Sequence, residues 1–229
     1  SLNCKAPGVV PGVLSFRSRP HMPFLSPVAV ATAPEAVANT YGRIEELFGG
    51  ELPEMFLVYG NVEPFLKDFY MNFKKFVYTS GQLDDKTKAL IALVTSCHSR
   101  CPAWIAFFQK RAVDLGWTTA QVAEAMAVAA TNYCYNTFFK FRDMSGSGLF
   151  EGMGVGLRAH TFHSVSLDQR IVELINVAIS DINACKPCTS GHVDKSRALG
   201  ITDEQLLECI QCAATMYAGC QFLNSASCE

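Results

Sequence analysis

The sequence predicts an all-α protein containing an internal duplication of a helical unit, and three observations carry that reading. Apolar residues recur at three- and four-residue spacing, as in Ile171, Leu174, Ile175, Ala178, Ile179 and Ile182. No stretch alternates apolar and polar residues for long, so no strand pattern emerges. Displacing the chain by 84 positions also brings two segments into register without a gap. Leu83-Asp84 falls on Leu167-Asp168, Cys101 on Cys185, Leu115-Gly116 on Leu199-Gly200, Thr118 on Thr202, Gln121 on Gln205, Glu124 on Glu208, Ala129-Ala130-Thr131 on Ala213-Ala214-Thr215 and Tyr133 on Tyr217.

In chain order, residues 1–35 read as an extended Pro-rich tail. It carries Lys5, Arg17 and Arg19, has no acidic residue before Glu35, and is broken by Pro7, Pro11, Pro20, Pro23, Pro27 and Pro34. Its basic, Ser-containing character resembles an organelle transit segment, yet the prolines spoil an amphipathic helix. A strap around a neighbouring subunit is therefore its expected role, with a cytoplasmic location for the protein. Residues 36–144 form the N-terminal helical repeat. Ala36 to Phe48 and Pro64 to Val77 read as helices, the second bearing Phe65, Phe69, Phe73 and Phe76 as a core stripe, before the first copy of the unit at Gln82 to Phe141.

Residues 145–165 form a Gly-rich linker. Gly154-Val155-Gly156 imitates a dinucleotide fingerprint without a strand before it, and His160 and His163 read as loop histidines, with a site on a neighbouring subunit as the alternative. Residues 166–225 form the C-terminal repeat. Ser166 and Gln169 offer a capping box for a helix ending near Asn183; a second helix begins around Cys185 with Pro187 in its first turn and stops at Gly200. Thr202 with Gln205 opens the third, as Thr118 with Gln121 does in the first copy.

The bulk composition narrows the function classes. A formal net charge of -2 without a dense Lys/Arg tract excludes the electrostatic footprint of a nucleic-acid binder. No apolar run reaches the length of about 18 residues that a membrane-spanning helix needs. With 49% hydrophobic and 17% charged residues, apolar surface is expected to be hidden between subunits of a homo-oligomer. Ten cysteines suit a secreted disulfide scaffold only in a much shorter chain.

Cys185-Lys186-Pro187-Cys188 places two thiols at a helix start, where free N–H groups and the helix dipole favour a thiolate. One cysteine can attack while the other resolves. His192 follows Cys188 by four residues and so shares its helix face, within reach of the thiol proton. Glu173, on the preceding helix, can return to the Cys-His pair to orient the ring or relay a proton. In the first copy Ala89, Trp104 and Phe108 stand at the positions of Glu173, Cys188 and His192, and only Cys101 survives, so that half is expected to pack rather than react.

Glu, eleven residues, Cys-x-x-Cys, three residues, His: this spacing resembles the active-site pattern of the alkyl hydroperoxidase D branch of the carboxymuconolactone decarboxylase superfamily. Leu199-Gly200 and the Thr202-Asp203-Glu204 start add to the resemblance, which covers about Leu52 to Phe222. It implies an all-helical alkyl hydroperoxidase D-like fold, commonly trimeric or hexameric, with no cofactor. It further implies a peroxidase or disulfide reductase in which Cys188 meets the hydroperoxide, Cys185 closes the disulfide, and a dithiol donor, in some members a lipoyl protein, restores the thiols. One departure stands out. Well-known members carry a histidine just before the second cysteine, where this chain has Pro187, so any proton transfer that histidine assists must come from elsewhere.

Two other readings accompany this one. Two thiolates and an imidazole are good zinc ligands, which makes a structural zinc-bound helical assembly the main alternative, although a fourth ligand is missing. The superfamily name also covers cofactor-free lactone decarboxylases, which do not depend on the dithiol. Cys209 and Cys212, among apolar residues of the last helix, read as small core residues, and Cys97 with Cys101 as packing with a bridge as the alternative. Cys4, Cys134, Cys220 and Cys228 have no partner legible in the sequence.

Overall fold

The computed structural model describes residues 24–226, which fold into nine α-helices and no strand. Most of the Pro-rich tail, with Cys4, and the end of the chain, with Cys228, lie outside the described residues. Those of the tail that are described lie along their own chain. Leu25 N–H bonds to the Ala226 carbonyl at 3.2 Å, Val28 N–H to that of Leu57 at 2.9 Å, and the Asn61 amide to that of Ser26 at 2.8 Å.

Three helices precede the duplicated units: α1 (Glu35–Leu47), α2 (Glu54–Tyr59) and α3 (Glu63–Asn72). The sequence reading missed α2 because six residues between Pro53 and Gly60 are too short to show a period, yet it buries Met55, Phe56 and Tyr59. The helix expected to run to Val77 keeps α-geometry only to Asn72. Beyond it, Phe73–Tyr78 widen into a π-helical turn, and Thr79 N–H reaches five residues back to the Lys74 carbonyl at 3.1 Å. This bend supplies acceptors for a buried cation: the ammonium of Lys88 donates to the Thr79 carbonyl at 2.8 Å, the Lys75 carbonyl at 3.4 Å and Glu208 Oε1 at 2.9 Å. A charge with no access to water needs such partners.

The duplication is plain in the backbone. The first copy is α4 (Asp85–His98), α5 (Pro102–Asp114) and α6 (Thr119–Met144); the second is α7 (Gln169–Ile182), α8 (Lys186–Ala198) and α9 (Asp203–Ala226). Each helix of the second copy starts 84 residues after its counterpart. The turns repeat as well. Arg100 and Ala184 hold left-handed φ values of 53° and 52°, and Gly116 and Gly200 values of 89° and 77°. The Thr118–Gln121 capping box forms as predicted, and the Thr202–Gln205 pair repeats both of its bonds.

The two copies exchange their third helices. Helix α6 packs on α7 and α9 on α4, which leaves α4 and α7 in contact at the centre, buried on nearly every face. Paired carboxylates fasten the exchange. Glu208 on α9 accepts the Leu83 N–H at 2.6 Å, and Glu124 on α6 accepts the Ser166 N–H at 3.0 Å and its hydroxyl at 2.8 Å. Ser166 is therefore not the cap of α7. Asp168 is, through the Arg170 N–H at 2.8 Å, because the Ser166 hydroxyl is committed to the other copy.

Candidate active site

Glu173 lies one turn into α7, and α8 returns antiparallel to it across the tight turn that Ala184 makes possible. Cys185 caps the start of α8, Pro187 occupies its first turn, where a missing N–H costs nothing, and Cys188 and His192 follow one turn apart. His192 Nδ1 and Glu173 Oε2 are 2.7 Å apart, and both side chains are buried. An ionised carboxylate at that distance accepts from Nδ1–H, which leaves Nε2 as the basic nitrogen of the ring. The structure thus gathers all four predicted residues. Cys185 and Cys188 are joined by a disulfide bond.

Of the two cysteines, Cys188 is 8% exposed and Cys185 0%, and only Cys188 lines a cavity at the site. Cys188 and His192 line a cavity of about 370 Å³ whose walls are Tyr135 and Phe139 of α6 and Phe162 of the linker. The Phe162 and His192 rings stand nearly perpendicular, at 85° with their centroids 6.2 Å apart. The rim carries His163 and Lys195, both exposed. The degenerate repeat and the linker therefore build the site, and 145–165 is a wall as well as a connection. His163 lines the cavity of its own chain; His160, exposed in the short turn ahead of it, does not.

Sequence reasoning missed the polar layer behind this wall. The Asn132 amide donates to the Asn176 carbonyl at 2.8 Å and Ser180 Oγ at 3.0 Å; that of Asn136 donates to Ser180 Oγ at 3.1 Å, and that of Asn183 to Asn136 Oδ1 at 2.9 Å. All five residues are buried. The one available signal was a pair of asparagines four residues apart in an otherwise apolar helix. Their bonds lock α6 to the α7–α8 turn that carries Cys185.

In the first copy, Ala89, Trp104 and Phe108 fill the space of the missing apparatus, and the Trp104 indole donates to the Tyr59 hydroxyl at 2.8 Å. Cys97 and Cys101 are not bridged. Cys209 and Cys212 are core residues whose thiols burial pushes up, that of Cys212 to about 12. Cys220, for which the sequence offered no partner, has its Sγ 3.8 Å from the Oγ of Ser96, whose carbonyl accepts the Cys101 N–H at 3.1 Å. Among the described residues no three His, Cys, Asp or Glu side chains converge as a metal site would require, and no helix is long and apolar enough to cross a membrane.

Comparison with known proteins agrees with the duplication. The profile of the carboxymuconolactone decarboxylase family matches twice, over residues 64–139 and 153–227, one match for each repeat. Among curated proteins, the chain is 28% identical over 107 residues to the alkyl hydroperoxide reductase AhpD of Anaeromyxobacter sp. strain K, covering 47% of this chain and 58% of that protein. It is 24% identical over 168 residues to the protein of that name from Methylocella silvestris, covering 73% of this chain and 93% of the relative. It is also 39% identical over 64 residues to an uncharacterized protein of the cox locus of Paracoccus denitrificans, covering 28% of this chain and 58% of that one. The chain thus spans less than two thirds of the first and last of these relatives.

Proposed function

Because the chain belongs to the carboxymuconolactone decarboxylase family, we propose that it is a thiol-dependent peroxidase, or a disulfide reductase of the same chemistry, working through Cys185 and Cys188. The observation that carries this reading is the buried Glu173–His192 pair behind Cys188, in an apolar cavity, with Cys185 already in bonding contact with Cys188. In the reduced enzyme, Nε2 of His192 takes the Cys188 proton while Glu173 holds the ring and stabilises its charge. The thiolate attacks the distal oxygen of a hydroperoxide, the O–O bond breaks, and the alcohol leaves with a proton. Cys185 then attacks the sulfenic sulfur, water leaves, and the disulfide closes. An external dithiol returns two electrons by exchange.

The imidazole that Pro187 replaces has a candidate substitute in His163, the second imidazole lining the cavity. Apolar walls favour an organic hydroperoxide over a strongly hydrated one. A second copy of the chain is the expected neighbour of the site, since Met144, the last residue of the α6 helix that lines it, is 81% exposed and Leu149 just after that helix 77%. Mass spectrometry of the reduced protein, before and after one equivalent of hydroperoxide, tests the proposal. Loss of two hydrogens between Cys185 and Cys188 is expected, and recovery of both as free thiols would overturn it.

A further inference from the structure

The half of the molecule without the Cys-x-x-Cys still brings two cysteines, Cys101 and Cys220, to one residue, Ser96. Cys101 caps α5 with φ −104° and ψ 96°, close to the −94° and 85° of Cys185 at the start of α8. Its N–H bonds to the Ser96 carbonyl at 3.1 Å, as that of Cys185 does to Ser180 at 3.0 Å. The backbone cradle of the first sulfur is therefore intact. What changed is the source of the second. Trp104 occupies the position three residues on, and the partner thiol comes from Cys220 on α9 instead.

The exchange of third helices explains how it gets there. Cys220 is the counterpart of Asn136, which lies beside the Cys185 turn and bonds to Ser180 Oγ at 3.1 Å. In the same manner, Cys220 Sγ lies 3.8 Å from the Oγ of Ser96, the counterpart of Ser180. One substitution on the crossing helix thus sets a thiol against Cys101. The Cys220 thiol, together with the N–H groups of Ala103 and Trp104, holds Cys101 down to about 7, whereas the contact with Cys101 and burial keep Cys220 protonated. Cys101 lines a cavity of about 470 Å³, walled mainly by apolar side chains such as Met55, Val58 and Leu223 and covered by Leu25 and Pro27.

We propose that Cys101 and Cys220 form a second redox site, a dithiol–disulfide couple that takes small organic hydroperoxides through the cavity beneath residues 25–27. Cys101 thiolate attacks the distal peroxide oxygen, the O–O bond breaks, and the alcohol leaves with a proton. Cys220 then attacks the sulfenic sulfur and loses its proton, and water departs as the S–S bond forms. The two thiols lose two electrons and the peroxide gains them. Cys185 and Cys188 take no part, so the inference stands apart from the function proposed for them.

The test uses the reduced full chain, as wild type and with Cys185→Ser and Cys188→Ser combined, treated with tert-butyl hydroperoxide, alkylated and mapped by peptide mass spectrometry. A Cys101–Cys220 cross-link two hydrogens lighter than the dithiol is expected in both proteins, absent from Cys101→Ser and Cys220→Ser and unaffected by Cys97→Ser. Its rate should rise as pH passes through about 7 and level off above. Recovery of Cys101 and Cys220 as free thiols, or sulfinic acid at Cys101 without a link, would overturn the inference. In wild type, a Cys185–Cys188 link alone would overturn it while sparing the first site, and this arm stands even if the double variant misfolds.

Discussion

Cys188 is the side chain on which the proposed chemistry depends most directly. Cys188→Ser is expected to abolish hydroperoxide turnover in a coupled peroxidase assay, and rapid turnover by that variant would end the assignment. Cys185→Ser should consume one equivalent and stop, with Cys188 trapped as a sulfenic acid detectable by a dimedone adduct. His192→Ala and Glu173→Gln should each slow turnover by about a hundred- to ten-thousand-fold, the usual contribution of positioned proton transfer, with the fold unchanged by circular dichroism. A loss below threefold in both would remove the relay. His163→Ala is expected to lower kcat without altering Cys185–Cys188 bond formation in a single turnover at saturating peroxide; an unchanged kcat would leave Pro187 without a substitute. Cys101→Ala should leave turnover at Cys188 nearly unchanged.

At the scale of helices, the most exposed dependence is the buried Lys88–Glu208 pair, because it ties the π-helical turn, α4 and α9 together. Glu208→Gln leaves the Lys88 ammonium buried without its counter-charge, and breaking a buried pair typically costs about 3–5 kcal/mol. Denaturant unfolding should show a loss of that size, and a loss below about 1 kcal/mol would mean that water reaches Lys88. Thr118→Ala removes only one cap of α6, for about 1 kcal/mol. The contrast is informative about legibility. The Thr118 and Thr202 boxes are local, so their spacing announced them, whereas Ser166 kept the spacing of a cap while its hydroxyl is held by a carboxylate 42 residues away and Asp168 caps α7 instead.

For the molecule as a whole, the expected outcome is a homo-oligomer, with a trimer or hexamer implied by the resemblance to alkyl hydroperoxidase D proteins. Light scattering at micromolar concentration tests it, and a monodisperse monomer near 25.0 kDa would refute it. Replacing Met144 and Leu149 by Glu should weaken the assembly if the exposed apolar residues at and just beyond the end of α6 are covered by a second copy.

The sequence by itself determined the helical class, the duplication and the proposed catalytic four, because each rests on spacing along the chain. Helical periodicity, an 84-residue displacement and the Glu173, Cys185, Cys188, His192 pattern survive without knowledge of any long-range contact. The tertiary structure alone decided what crosses between the repeats. It set Asn132 and Asn136 against Ser180 and Asn183, turned the linker into a wall through Phe162, and brought Cys220 to the Ser96 turn that leads into Cys101, 119 positions away in sequence. The physical reason is the exchange of α6 and α9. Each repeat also packs its apolar first helix against the third helix of the other, so many neighbours of the central side chains come from the distant copy, where local periodicity carries no information.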